Sequence, residues 1–291
     1  RMFLNVGTQI SIDDLLRGII VQSGNDACIT IAEGFSGSEE NFAAELNALA
    51  FEIGLTNSHF TNATGWPDPE HLMTARDIMK LSIKTIEDFP ELYKIYSEKE
   101  YTYNKIKQVN RNPLLFSDKY TDGLKTGHTS LGGYGLAASS IRNGRRIILV
   151  INGLKNNKQR KIESKKLMDA SFFQFENLKI VQKDIIFDKI KVWNGKKNNV
   201  GIFSPREISI TVPRLSGKNI KTYIRYKSPI IAPINKNQEI AELIIKDKKQ
   251  NLIQKFPLLS NEDIMESNFF ARVYFKLKYL VLGESIYKFD S

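Results

Sequence analysis

The chain has 291 residues, of which 42% are hydrophobic and 25% charged, which is enough to build two domains with separate cores. Its net charge of +10 favours an anionic partner, and its single cysteine excludes an intrachain disulfide. The scattered histidines and the lone cysteine indicate no metal and no other cofactor, and no apolar run is long enough to span a bilayer.

Helical patterns come first along the chain. Ser11 followed by Asp14 is typical of a helix start, and apolar residues recur at helical spacing over 11–22. Further helices are predicted over 26–35, with Asp26 as N-cap, over 41–53, and over 74–86 with Thr74 as N-cap.

The period then changes to that of strands. Residues 135–153 read as two strands joined at Asn143-Gly144, a strong hairpin signal, and 158–175 returns to a helical pattern. Helices followed by an antiparallel hairpin and a closing helix predict an α+β domain over 1–177.

The remainder is patterned for strands, with a helix at its end. Strand patterns in the segments 189–197, 206–213, 220–227 and 239–256 predict a small all-β domain over 178–265. The tail, 266–291, contains a helical pattern over 267–283 with an apolar arc: Phe269, Phe270, Val273, Tyr274, Leu277, Leu280 and Val281. Arg272, Lys276 and Lys278 flank the arc. We predict an amphipathic helix lying on an anionic membrane surface, and the alternative is that the arc packs on the β domain.

Two triplets could carry chemistry. Lys125-Thr126-Gly127 precedes His128 in a strand-like stretch, and Ser23-Gly24-Asn25 lies between two predicted helices. Taken singly, the first is typical of a turn before an edge strand and the second of a turn with an N-cap. Together, S-x-N followed about a hundred residues later by K-T-G is two-thirds of the signature of penicillin-binding proteins and β-lactamases.

Longer stretches around these triplets strengthen the interpretation. They are LLRGIIVQSGNDA, HFTNATG before TARD, EKEYTYNKIKQVNRNPLLF, DGLKTGHT and RKIESKKLM. With the β-rich second domain, the whole chain resembles the serine-type D-alanyl-D-alanine carboxypeptidases, the low-molecular-weight penicillin-binding proteins. The S-G-N triplet, where β-lactamases tend to have S-D-N, favours this branch.

The resemblance implies a penicillin-binding, β-lactamase-like fold for 1–177 and a cell-wall function. Substrates would be peptidoglycan stem peptides, β-lactam antibiotics would bind where the family's nucleophile is present, and nucleic acid would not be a partner. The location would be the bacterial cell envelope, on the periplasmic face of the inner membrane. The chain does not begin with the charged leader and apolar stretch of a signal peptide.

Residue roles follow by match to the family. Ser23, Asn25 and Lys125 would be catalytic, and the substrate would be bound by Lys125, Thr126, Gly127, His128 and Arg160. The alternative for Arg160 is a solvated helix start. The family's nucleophile lies in an S-x-x-K motif upstream of S-G-N, whereas the S-x-x-K match here, Ser285–Lys288, is in the tail and is interpreted as coincidence. We therefore expect that this chain lacks the N-terminal portion of the family.

Other interpretations stay open on the residues alone. Glu45-Leu46-Asn47 is similar to the E-x-x-L-N segment of class A β-lactamases, but the glutamate stands too close to the asparagine. A non-catalytic envelope protein that binds peptidoglycan or membrane is a further alternative. Cys28 is expected to pack in a helix core rather than to act as a functional thiol.

Overall fold

The chain divides into two compact units, Arg1–Phe173 and Gln174–Ser291. The computed structural model describes residues 1–215, 220–249, 251–270, 273 and 277. The division falls a few residues before the predicted domain end at 177, because a strand that begins at Phe175 pairs within the second unit.

The first unit begins with helices at the predicted places. They are α1 Ile12–Ile20, α2 Asn25–Ser36, α3 Glu39–Glu52 and α4 Ala75–Asp88. The side-chain oxygens of Ser11, Ser38 and Thr74 cap α1, α3 and α4, each accepting a hydrogen bond from a backbone N–H three residues further on. Ser11 and Thr74 therefore cap helices as the sequence predicts, whereas the cap at Ser38 was not predicted.

Helix α2 differs from its prediction at the cap. Gly24 occupies the N-cap position, and Asp26 lies in the first turn instead. The Asp26 carboxylate accepts hydrogen bonds from the backbone N–H groups of Met2, Phe3 and Leu4, at distances of 2.7 to 3.3 Å. Burial alone would raise the pKa of Asp26, but these hydrogen bonds outweigh it and lower that pKa. The carboxylate thus anchors the start of the chain rather than capping the helix.

Short elements connect the helices to the main sheet, and none of them was predicted. They are the strand pair β1 Ser58–His59 and β2 Leu72–Met73, helix α5 Pro90–Tyr93 with a 3₁₀ turn over Lys94–Ser97, the hairpin β3 Glu100–Tyr103 and β4 Ile106–Val109, and helix α6 Leu114–Ser117. Elements this short leave too few residues for a periodic pattern to stand out.

The main sheet of the first unit is antiparallel. Its strands are β5 Thr121–Gly123, β6 Thr126–Thr129, β7 Gly133–Arg142 and β8 Arg145–Leu154, and helix α7 Asn157–Gln174 follows. Strand β7 pairs with β5 and β6 along one edge and with β8 along the other. Asn143 and Gly144 both have positive φ, as the tight turn of the predicted β7–β8 hairpin requires. Met168 and Phe172 of α7 pack on this sheet.

Residues 175–266 of the second unit form an all-β domain, which confirms the predicted fold class. Its strands are β9 Phe175–Val181, β10 Asp188–Trp193, β11 Asn199–Phe203, β12 Ile208–Pro213, β13 Lys221–Arg225, β14 Ile230–Ile231, β15 Glu239–Lys246 and β16 Leu252–Ser260. Six of them form one sheet in the order β13-β15-β16-β11-β10-β14, and β12 pairs with β9. Alternating burial along β12 places Ile208, Ile210 and Val212 in the core. Strand β9 begins at Phe175, the last residue of a predicted helix, and crosses the predicted domain boundary at 177.

The predicted tail helix over 267–283 lies mostly outside the described residues. Four members of its apolar arc are described, and they are 39% to 83% exposed: Phe269, Phe270, Val273 and Leu277. Among the described helices, none combines the length and the apolar character that crossing a bilayer requires.

Candidate active site

The S-G-N triplet forms a tight turn between α1 and α2. Ser23 has a φ of 53°, in the left-handed region that residues other than glycine seldom adopt. Gly24 leaves no room for a side chain, because a Cβ there would lie 2.9 Å from Oδ1 of Asp26 and 3.1 Å from the backbone nitrogen of Met2. The turn therefore fixes Ser23 and Asn25 at the start of α2 at the expense of backbone strain, which is typical of functional turns.

The K-T-G triplet lies opposite this turn. Two backbone hydrogen bonds hold Lys125 against β7: Leu124 N–H donates to the Ala137 carbonyl at 3.2 Å, and Ala137 N–H donates to the Lys125 carbonyl at 2.9 Å. Lys125 Nζ donates to Ser23 Oγ and, at 3.1 Å, to the carbonyl oxygen of Thr126. Residues 102 positions apart in the chain thus meet at one point.

The Lys125 ammonium is in an unfavourable place for a charge. Burial, and next the positive charge of Arg111, lower the pKa of Lys125 to about 8. An amine with a pKa near neutrality, hydrogen-bonded to a hydroxyl, can both accept and donate a proton under physiological conditions. Such a perturbed lysine in a cleft is typical of a functional site.

A groove of about 1290 Å³ opens over these residues. Every predicted site residue lines it: Ser23, Asn25, Lys125, Thr126, Gly127, His128 and Arg160. A Cβ built on Gly127 would meet no atom within 4 Å, so the glycine leaves its space to the groove. The His128 ring packs on Tyr134, with 4.0 Å between the ring centroids. Among the described strands, β6 pairs with β7 alone, and its other edge remains open to an extended peptide.

Arg160 is not the solvated residue of the alternative interpretation, because its exposure is 6%. Its Nη1 lies 3.4 Å from the carbonyl oxygens of Gly127 and Gly135, and its Nη2 donates to Asn157 Oδ1 at 2.7 Å. Burial lowers the pKa of Arg160. The guanidinium therefore contacts both β6 and β7, and it places a positive charge in the groove lining.

Arg111 lines the same groove, and sequence reasoning did not single it out. Buried asparagines on either side hold its turn rigid: Asn112 Nδ2 donates to the Gly123 carbonyl at 2.9 Å, and Asn110 Nδ2 donates to the Glu98 carbonyl at 2.9 Å. Within the described part of the chain, no ion pair occupies the Arg111 guanidinium. The available signal is the N-R-N triplet inside EKEYTYNKIKQVNRNPLLF, a stretch that carries the family resemblance, but an arginine in a polar loop is common on any surface.

Three other residues named in the sequence analysis have structural contacts or burial instead of a place in the groove lining. Glu45 accepts a hydrogen bond from Ser36 at 2.9 Å, and the Asn47 side chain pairs with the backbone of Phe60 on both its donor and acceptor sides. The segment that is similar to the β-lactamase E-x-x-L-N motif therefore supports helix α3 and its neighbouring loop. Cys28 is half-buried on α2, and burial raises the pKa of its thiol.

The arrangement can support proton transfer beside a groove that is lined by positive charges. Ser23 and Lys125 can pass a proton between them, and Arg111, Lys125 and Arg160 create a positive potential where a substrate carboxylate would bind. The S-x-x-K match at Ser285–Lys288 lies outside the described residues.

Comparison with known proteins decides the family. A family model described as D-alanyl-D-alanine carboxypeptidase matches residues 1–156, and the C-terminal domain of penicillin-binding protein 5 matches residues 175–266. The chain belongs to the D-alanyl-D-alanine carboxypeptidase family. The predicted resemblance is confirmed, and neither alternative, a non-catalytic envelope protein or a β-lactamase, is favoured.

Members of this family match over most of the chain. The D-alanyl-D-alanine carboxypeptidase DacC of Escherichia coli is 40% identical over 94% of this chain and 68% of its own length. DacA of Haemophilus influenzae is 38% identical over 97% of this chain and 72% of its own length. The crystal structure of penicillin-binding protein 5 from Haemophilus influenzae superimposes with a TM-score of 0.85 and 38% identity, covering 91% of this chain and 78% of that one.

Proposed function

We propose that this chain forms the substrate groove of a serine-type carboxypeptidase that removes the terminal D-alanine from peptidoglycan stem peptides. The observation that carries the proposal is the meeting of Ser23 and Lys125 in one groove, with Lys125 held at a pKa of about 8. The relatives are named for the same reaction, which supports the assignment.

In the proposed complex, the stem peptide lies extended along the open edge of β6. Its C-terminal carboxylate meets the positive charges of Lys125, Arg111 and Arg160, and Gly127 allows its backbone to approach closely. Asn25 lies where it can orient the peptide amide next to the bond that breaks.

The proposed chemistry is acyl transfer. The serine of the family's S-x-x-K motif attacks the carbonyl between the two D-alanines, the amide bond breaks, and the leaving amine takes a proton through Ser23 and Lys125. Water then hydrolyses the ester. β-Lactams would acylate the same serine, and the Listeria monocytogenes penicillin-binding protein D2, 31% identical with a TM-score of 0.52, has been crystallised in an ampicillin-bound form.

Calorimetric binding of short peptides tests substrate recognition directly. Nα,Nε-diacetyl-L-Lys-D-Ala-D-Ala should bind the chain, whereas the stereoisomer that ends in L-Ala-L-Ala should bind at least about tenfold more weakly. Lys125→Met should weaken binding of the peptide that ends in D-Ala-D-Ala. The matched control, Lys155→Met, changes a lysine outside the groove lining and should leave that binding unchanged. Equal binding of both stereoisomers would contradict the proposed function.

The proposal extends to a location at the membrane surface of the cell envelope, on its periplasmic side. Phe269, Phe270, Val273 and Leu277 are exposed and follow helical spacing, which supports insertion of this arc into the acyl boundary of a bilayer. Sedimentation with anionic vesicles should carry down the full chain but not a chain that ends at residue 266. Equal sedimentation of the shortened chain would exclude the tail as the anchor.

A further inference from the structure

A second groove, of about 1190 Å³, adjoins the first. The two grooves share six lining residues: Ser23, Asn25, Thr64, Trp66, Pro67 and Arg111. Trp66 belongs to the loop between β1 and β2, and 68% of it is exposed. A large aromatic side chain exposed at the junction of two grooves is typical of a ligand contact, since tryptophan is enriched where binding energy is concentrated.

The backbone of this loop is fixed although the Trp66 side chain is open. Asn62 Oδ1 accepts hydrogen bonds from Trp66 N–H at 3.0 Å and from Thr64 N–H at 3.1 Å. Asn62 Nδ2 donates to the Trp66 carbonyl at 3.0 Å. Asn62 thus pairs with both the N–H and the carbonyl group of Trp66. Because the loop backbone is already ordered, a contact between a ligand and the indole costs little conformational entropy in this loop.

We infer that Trp66 is a specificity-determining residue, which packs against the long aliphatic side chain of the stem-peptide residue that precedes D-Ala-D-Ala. This inference rests on the proposed function, because the peptide must have its carboxylate near Lys125 and Arg111 in the first groove. A peptide longer than two residues then continues past Ser23 and Asn25, which line both grooves, and reaches the indole.

The chemistry of the second groove fits that side chain. Pro67 beside Trp66 extends the apolar contact. Arg1 and Arg111 also line this groove, but Glu39, which accepts a hydrogen bond from Ala63 N–H in the Trp66 loop, and Asp68, two residues after Trp66, bring carboxylates to the side of the groove that carries the indole. This side suits an aliphatic chain that ends in an ammonium group. A diamino acid combines these two features, and a short side chain offers neither of them.

The test compares two acetyl-capped peptides, L-Lys-D-Ala-D-Ala and Gly-D-Ala-D-Ala, by isothermal titration calorimetry. The wild-type chain should bind the lysine peptide roughly tenfold more tightly, because burial of an aliphatic chain on an indole contributes on that scale. Trp66→Ala should abolish the preference and Trp66→Phe should keep most of it. Phe51→Ala, which removes an exposed aromatic from helix α3, is the matched control and should change nothing.

Fluorescence gives an independent readout. In a Trp193→Phe background, the emission of Trp66 should shift to shorter wavelength with the lysine peptide and not with the glycine peptide. If Trp66→Ala bound both peptides and kept the full preference, the inference would be wrong while the proposed function stood. If the wild-type chain bound neither peptide, the proposed function would fail and the inference with it.

Discussion

Replacement of Lys125 by methionine should stabilise the first unit at neutral pH. The ammonium of Lys125 is buried beside Arg111, and a pKa lowered from 10.5 to about 8 corresponds to about 3 kcal/mol of unfavourable free energy in the folded state. The hydrogen bonds of Nζ to Ser23 and Thr126 stabilise the folded state by about 1 kcal/mol each, and the variant loses both. The net expectation for Lys125→Met at pH 7 is a gain in stability of about 1 kcal/mol.

The pH dependence separates this cause from a simple packing effect. Below pH 8, Lys125 is protonated in the folded and the unfolded states, so the unfavourable term is fully present. Between about pH 8 and 10.5 the folded protein releases the proton first, and the free energy of unfolding of the wild type rises with pH. Lys125→Met lacks this rise, so its advantage should disappear towards pH 10.5.

Urea unfolding followed by circular dichroism at 222 nm measures the effect. The numbered helices of the described chain begin in the first unit, whereas the second unit is built from strands, so the helical signal reports mainly on the unit that holds Lys125. Thr126→Val, next to Lys125, is a control without a titratable group. Parallel pH profiles for wild type and Lys125→Met, or a variant less stable than wild type at pH 7, would refute the reasoning.

Three further outcomes are expected. Arg111→Gln removes a positive charge and should raise the pKa of Lys125, so the free energy of unfolding should begin to rise at a higher pH. An unchanged dependence on pH in the same urea assay would show that the two charges do not interact. Asn112→Ala leaves buried backbone groups without partners and should destabilise the first unit by about 2 kcal/mol; a loss below about 0.5 kcal/mol would contradict this role. Asp26→Asn should speed amide hydrogen exchange over residues 2–4 at pH 7. The pKa of Asp26 is lowered by folding, so its stabilisation is present above the pKa of the unfolded chain and is lost as pH falls. At low pH the variant and the wild type should therefore exchange at the same rate. Equal exchange at pH 7 would argue against the anchor.

Sequence patterns predicted the long elements well, and physical chemistry explains why. Helices α1, α3 and α4 have capping side chains and several turns of periodic residues, and the β7–β8 hairpin has the Asn-Gly pair that its turn requires. Strand β9 was missed because the helical pattern of α7 runs directly into it, with no glycine or proline to mark the change.

Sequence patterns predicted the site residues that belong to short motifs. They did not predict contacts between residues that are far apart in the chain. The two triplets indicated Ser23 and Lys125, and the structure brings them together. Asp26 follows S-G-N and reads as a helix cap, yet its partners lie more than 20 residues earlier. Arg111 is held in the groove lining by buried asparagines on both sides of it, and a single sequence does not reveal which asparagines are buried.

The anchoring of Met2 has a practical consequence for any sequence that is joined to Arg1. Met2 is fully buried and its backbone is held by Asp26, so the preceding residue, Arg1, is delivered to the lining of the second groove. An affinity tag joined directly to Arg1 would begin at the lining of the groove assigned to the peptide and should be removed before peptide titrations. A tag at the other end of the chain, or one removed by a protease, leaves the groove open for titration.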